Sequence, residues 1–176
     1  MRAKDPTLAP CPPDIRIRPY EPRDTPKVLE VFQTAITQGA ARCYDAAQRE
    51  AWAAGLVEVE AMATRLTGLE VWVAVRAESD QVVGFMTLAP SGHIDFAYVA
   101  PTVMGQGVAQ ALYEVVEPRA RAAALARLIT EASHLARRFF ACRGWQVDRA
   151  ARVQRAGVTL ENFAMSKPLG IKNSAG

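Results

Sequence analysis

One stretch constrains this chain more than any other: Tyr98-Val99-Ala-Pro-Thr-Val-Met104-Gly105-Gln106-Gly107-Val108-Ala109. Upstream, residues 93–99 (HIDFAYV) have the two-residue alternation of a strand. Downstream, Val108, Ala111, Leu112, Val115 and Val116 recur at helical spacing, and Leu128 to Thr130 is a short buried strand. A strand, a helix and a strand so close in sequence must cross over in parallel and right-handed. Ligands bind such sheets beyond the carboxyl ends of the strands, where the helix begins. Here that point carries two glycines, which let backbone approach a ligand, and a helix N-terminus, whose free N–H groups and dipole suit a phosphate group. The turn lacks the Gly-Lys-Ser/Thr of a P-loop and the full GxGxxG of a dinucleotide site.

The remaining elements place the crossover in a mixed sheet. Ile15 and Ile17 alternate with arginines before Pro19 as a first strand, and Asp24 or Thr25 caps a helix with Val28, Leu29, Phe32 and Ile36 on one face, closed by Gly39. Helices are expected at Asp45–Ala54 and Glu58–Leu66. A hairpin follows, Val71–Val75 and Val82–Leu88 around Glu78-Ser79-Asp80. Pro118 should kink or break the helix after the glycine turn. His134 to Arg143 reads as an amphipathic helix stopped by Gly144, and strands Trp145–Val153 and Val158–Ser166 close the fold around Ala156-Gly157. The expected class is α/β, a mixed and mostly antiparallel sheet with one parallel strand–helix–strand crossover and helices on both faces. One domain over residues 15–168 is expected, with flexible tails at 1–14 and 169–176.

Composition excludes several alternatives. An apolar fraction of 50% against 22% charged residues is that of a globular chain, not a disordered one. The longest uncharged run, Phe96 to Tyr113, is broken by Pro101, Gly105, Gln106 and Gly107, so no membrane span is expected. MRAKDPTLAPCPPD offers no apolar core for a signal peptide, and a cytoplasmic location follows as the expectation. Cys11, Cys43 and Cys142 form no ligand spacing, so neither a disulfide framework nor a metal site is expected. The net charge of +3 is spread along the chain without a basic stripe, which argues against nucleic-acid binding. Monomer and homodimer both stay open.

The strand, the glycine turn and the later run Ser133-His-Leu-Ala136-Arg-Arg-Phe-Phe140-Ala-Cys-Arg-Gly144-Trp145 together resemble the GNAT superfamily of N-acetyltransferases. Its signatures are (Gln/Arg)-x-x-Gly-x-(Gly/Ala) and Asn-x-x-Ala-x-x-x-Tyr-x-x-x-Gly-Phe. The resemblance covers residues 15 to about 168. It implies that the backbone of Met104, Gly105, Gln106, Gly107, Val108 and Ala109 cradles the pyrophosphate of acetyl-CoA, the acyl-donor cosubstrate. It further implies that the N–H of Val99 bonds the thioester carbonyl. Met104 replaces the family's Gln or Arg in a cradle built largely of main chain. Ser133 replaces Asn but can still bond the pantetheine arm. Phe140 stands where many members carry the Tyr that protonates the departing thiolate, and a phenyl ring donates no proton. A thiol of pKa ~8.5 leaves acceptably without help, so catalysis survives the change. Water, Ser133 or Cys142 are substitute donors. A CoA-binding module without catalysis is the competing reading.

Direct transfer in this family needs a neutral amine, of a small molecule or a peptide, and therefore a base. Regular alternation puts His93 and Asp95 on the face of Val99, and Glu131 ends the neighbouring strand, so these three are the candidates. Each reads equally well as a solvated or ion-paired surface residue. The acceptor wall, by the same resemblance, is Arg42, Tyr44 and Trp52. Arg137, Arg138 and Arg143 are candidates for the adenosine 3′-phosphate.

Overall fold

The computed structural model describes residues 11–170. Strand β1 (Ile15–Pro19), helices α1 (Thr25–Thr37), α2 (Ala46–Ala53) and α3 (Val59–Leu66), and strands β2 (Glu70–Arg76), β3 (Val82–Leu88) and β4 (Ala97–Val99) come first. Helix α4 (Val108–Ala122), β5 (Arg127–Ala132), α5 (His134–Ala141), β6 (Gln146–Arg155) and β7 (Val158–Pro168) complete the chain. The expected order is present and the fold is mixed α/β.

The strands form two antiparallel sheets, β1-β2-β3-β4 and β5-β7-β6. They meet in one parallel bridge, His93↔Ile129, where Ile94 N–H donates to Ile129 C=O at 2.9 Å and Ile129 N–H to Gly92 C=O at 3.0 Å. The parallel crossover is therefore real but confined to the base of β4 and β5. Above it each strand pairs only with its own sheet, which leaves a cleft between them.

Two cores flank the first sheet. Val71, Val73, Val75, Phe85 and Phe96 pack on α1 and α3 through Val28, Phe32, Ile36, Met62 and Leu66. On the opposite face Ala74, Met86 and Ile94 meet Leu112 and Val116 of α4, and this core runs on through Leu128, Phe140, Trp145 and Met165 under the second sheet. Gly84 permits the close approach there: a Cβ would lie 3.0 Å from Val99 Cγ1 and 3.3 Å from Leu112 Cδ1.

Three expectations are corrected. Helix α4 runs through Pro118 unbroken. Pro118 and Glu114, whose carbonyl loses its partner, are both solvent-exposed, so water can satisfy the freed group. Asp24 does not cap α1 with its side chain. It is 6% exposed and instead takes the Glu21 N–H and a two-pronged contact from Arg18. Leu169, placed in the expected C-terminal tail, is instead packed: it is 3% exposed and its N–H donates to Ala126 C=O. Residues 1–10 and 171–176, most of the two expected tails, lie outside the described residues.

Candidate active site

The site follows from how β4 leaves β3. Phe96 C=O accepts from Thr87 N–H and Ala100 N–H donates to Val83 C=O, with Tyr98 opposite Phe85 between them. Residues 96, 98 and 100 thus turn their backbone groups toward β3. By parity, the N–H and C=O of Ala97 and Val99 point away from β3, into the cleft that β5 has vacated. The Val99 N–H is accordingly an unpaired donor at the cleft, where the resemblance requires one.

Directly after it the chain makes a 3-10 turn at Pro101–Val103 and enters the glycine turn. Gly105 and Gly107 hold φ of 75° and 79°, while Gln106 between them keeps a negative φ. Alternating signs of φ make a concave nest of N–H groups. Gly107 is the N-cap of α4 and offers no side chain, so the N–H groups of Val108, Ala109 and Gln110 have neither intrahelical acceptors nor a cap. Met104 turns inward against Gly39. The donors and the space suit a pyrophosphate, and the residues present fit CoA.

The side-chain faces differ from strict alternation. Ile94 bonds to β5 and packs in the α4 core, yet Phe96, two residues on, bonds to β3 and packs in the α1 core. The chain therefore slips one residue at Asp95, which faces α3 together with Phe96. His93, Asp95 and Tyr98 share the α1–α3 side, whereas Ala97 and Val99 face α4. The expectation that His93 and Asp95 share the face of Val99 is corrected, because a bulge where β4 changes sheet partners breaks the two-residue period.

His93 Nε2 lies 2.7 Å from Glu131 Oε2, so two of the candidates form one pair. It sits at the bridged, closed end of the cleft, up to about 20 Å along the strand from Val99. Asp95 is met by Arg65 of α3 through two contacts, Nε–Oδ2 2.9 Å and Nη2–Oδ1 3.0 Å. Its side chain is 21% exposed.

Tyr44 spans the cleft. It is 5% exposed; its hydroxyl donates to Glu161 C=O of β7 at 3.0 Å and accepts from His134 N–H, the first of α5, at 3.1 Å. This ties the α1–α2 segment to the second sheet, and the ring acts as a strut rather than an open wall. Trp52 packs on it edge-to-face at 5.3 Å and joins Tyr98 at the edge of the α1–α3 core. Burial, aided by the charge of Asp95, pushes the Tyr98 hydroxyl up, so it stays protonated. Arg42 is exposed at the end of the 3-10 turn before Tyr44.

At the far side Ser133 is the N-cap of α5, its Oγ accepting from Ala136 N–H at 3.1 Å, with its own proton left to donate. Phe140 is 1% exposed, wedged against Trp145 at 4.6 Å and Tyr113 at 6.2 Å. The position is filled as core. Among the three arginines, Arg137 lies over the Phe163 ring and Arg138 is exposed, while Arg143 reaches Gln110 in the first turn of α4 at 3.2 Å. Arg143 is thus the one the fold brings to the cradle.

Sequence reasoning missed His134, whose Nε2 is 3.0 Å from Glu161 Oε2 and whose ring packs against Tyr44 and Phe163. Its position directly after Ser133 was the available signal. Among the described residues no cluster of His, Cys, Asp or Glu could hold a metal, and no helix is long and apolar enough to cross a membrane.

Comparison with known proteins gives the family. The model of the acetyltransferase (GNAT) domain family matches residues 33–167. The chain belongs to the GNAT superfamily of N-acetyltransferases. A curated relative, the uncharacterized N-acetyltransferase YafP of Escherichia coli K12, is 32% identical over 152 residues, covering 86% of this chain and 95% of YafP. A solved GCN5-related N-acetyltransferase from Rhodopseudomonas palustris superposes with a TM-score of 0.82 at 32% identity, covering 92% of this chain and 98% of its own. The yncA structure from Salmonella typhimurium, a putative acetyltransferase with its cofactor acetyl-CoA, shares the fold at TM-score 0.64 and 20% identity, covering 92% and 97%.

Proposed function

We propose that this GNAT enzyme moves an acetyl group from acetyl-CoA directly to an amine of a small molecule or peptide. The observation that carries the reading is the unpaired Val99 N–H opening onto the cleft immediately before the Gly105–Gly107 nest. Acetyl-CoA supplies an activated thioester, and the chain's own groups do the rest. The nest and the first turn of α4 hold the pyrophosphate, and Ser133 bonds the pantetheine arm. The Val99 N–H stabilises the charge that develops on the carbonyl oxygen.

The amine enters from the α1–α3 side, past Trp52 and Tyr98. As the N–C bond forms and the C–S bond breaks, its proton passes to Asp95 through water. Asp95 is four residues from Val99, too far for direct contact, and Arg65 holds its side chain in place at 2.9 Å. His93 with Glu131 braces the closed end. The thiolate leaves without a tyrosine acid and takes its proton from Ser133 or water.

Calorimetric titration with acetyl-CoA, followed by a thiol-release assay against a panel of amines, tests this. Tight binding with amine-dependent release supports it; binding without release from any amine returns the chain to a CoA-binding role. Asp95→Asn should lower kcat by about 10²-fold, most at neutral pH, with acetyl-CoA affinity retained. An unaltered pH–rate profile would remove Asp95 from the proton path.

A further inference from the structure

The acetyl-transfer reading leaves the class of amine open, and the charges around the cleft narrow it. The carboxylates on its sheet walls each have a side-chain partner: Asp95 has Arg65, Glu131 has His93 and Glu161 has His134. Asp45, beside Tyr44, is spent capping α2 at Gln48 N–H. Two guanidinium groups on the same side have no carboxylate within ion-pair distance among the described residues. Arg49 of α2 donates from Nη1 to the Tyr44 carbonyl at 2.7 Å, which fixes its stem and leaves its charge unneutralised.

Arg155 is the last residue of β6. The register Val153↔Leu160 and Arg155↔Val158 puts Arg155 on the same face as Val153 and Leu160, which pack against Tyr44 and Trp52. Trp52 in turn packs at the edge of the α1–α3 core together with Tyr98. The β6–β7 turn, at Ala156 and Gly157, thus presents Arg155, exposed and without a carboxylate partner, on the face that packs against these aromatics, and its positive charge acts on the Tyr98 hydroxyl. Guanidinium groups with no carboxylate partner beside a cleft attract anions and repel cations.

We propose that the accepted amine also carries an oxyanion, a carboxylate or phosphoryl group, which Arg155 binds with Arg49 behind it while the amino group points toward Val99. The planar fork of an arginine suits either group. The oxyanion keeps its charge throughout; the bonds made and broken are those of acetyl transfer alone.

The experiment uses the full chain with saturating acetyl-CoA and matched amines: O-phosphoethanolamine against ethanolamine, β-alanine against propylamine, and 1,4-diaminobutane as the cationic control. Thiol release gives kcat/KM for each. The oxyanion-bearing member should win its pair by at least about tenfold, and the stronger pair names the group. Arg155→Gln should collapse the anionic-to-neutral ratio by about ten- to a hundredfold, and Arg155→Lys should restore part of it. Equal or better transfer to the neutral amines or the diamine would overturn the proposal. So would a loss in Arg155→Gln that is uniform across the panel, since that is a folding effect. Release from no amine while acetyl-CoA still binds would overturn the transferase reading, and the acceptor class with it.

Discussion

Gly107 separates binding from folding. Its φ of 79° strains any side chain, at about 1–2 kcal/mol, and a carboxylate there would face the pyrophosphate. Gly107→Glu should therefore raise the Kd for acetyl-CoA by at least about a hundredfold while Tm falls only a few degrees, measured by titration and thermal melt on one sample. Tyr44→Phe isolates the strut. It leaves the Glu161 carbonyl and the His134 N–H without their partner and should cost about 1–2 kcal/mol in a denaturant melt. The glycine turn was legible in the sequence because backbone conformation at a Gly-x-Gly turn is a local property. The partners of His93, Asp95, Tyr44 and His134 were not. They come from residues 27 to 117 positions away, and no local period reports them.

Helix α4 is held at both ends of its length. Its start meets Gly84, where β3 lacks a side chain, so Gly84→Val should push Val99 and Leu112 apart, lowering both Tm and acetyl-CoA affinity. Its later turns meet β7 through Glu117, which pairs with Lys167 at 2.7 Å and with Arg121, while Tyr113 takes the Trp145 indole N–H at 2.9 Å. Burial alone would raise the Glu117 carboxyl, but hydrogen bonds from Lys167, Tyr113 and Arg121 outweigh it and hold it at about 2. A carboxyl depressed by folding stabilises the protein above its unfolded value of about 4.3, and that stability is lost as pH falls toward 2. Glu117→Gln should lower Tm at pH 7 by several degrees, and the difference from the parent should shrink as pH falls through that range. The elements themselves were legible from apolar period and turn residues. Whether Pro118 would break the helix was not legible, because a proline's cost depends on whether water reaches the freed carbonyl, and burial is set by tertiary contacts.

The molecule as a whole is two sheets joined at few points: the His93↔Ile129 bridge at the base, the Tyr44 strut across the opening, and the shared core behind α4 and α5. A ligand that lies between β4 and β5 and also touches α4 and α5 binds only the assembled pair. Acetyl-CoA at a hundred times its Kd should stabilise the chain by about 2.7 kcal/mol, read as a Tm rise of about 5–10 °C. An unchanged Tm at that concentration would mean that acetyl-CoA does not bind the folded chain in preference to the unfolded one. The sequence by itself determined the order of elements, the parallel crossover and the glycine nest, because hydrophobic period, turn chemistry and chain handedness act over a few residues. Only the tertiary structure decided where β4 and β5 part, which way Asp95 turns, and which charges in the cleft go unmatched. Those depend on sheet partners, a one-residue bulge and ion pairs that form only when distant segments are packed together.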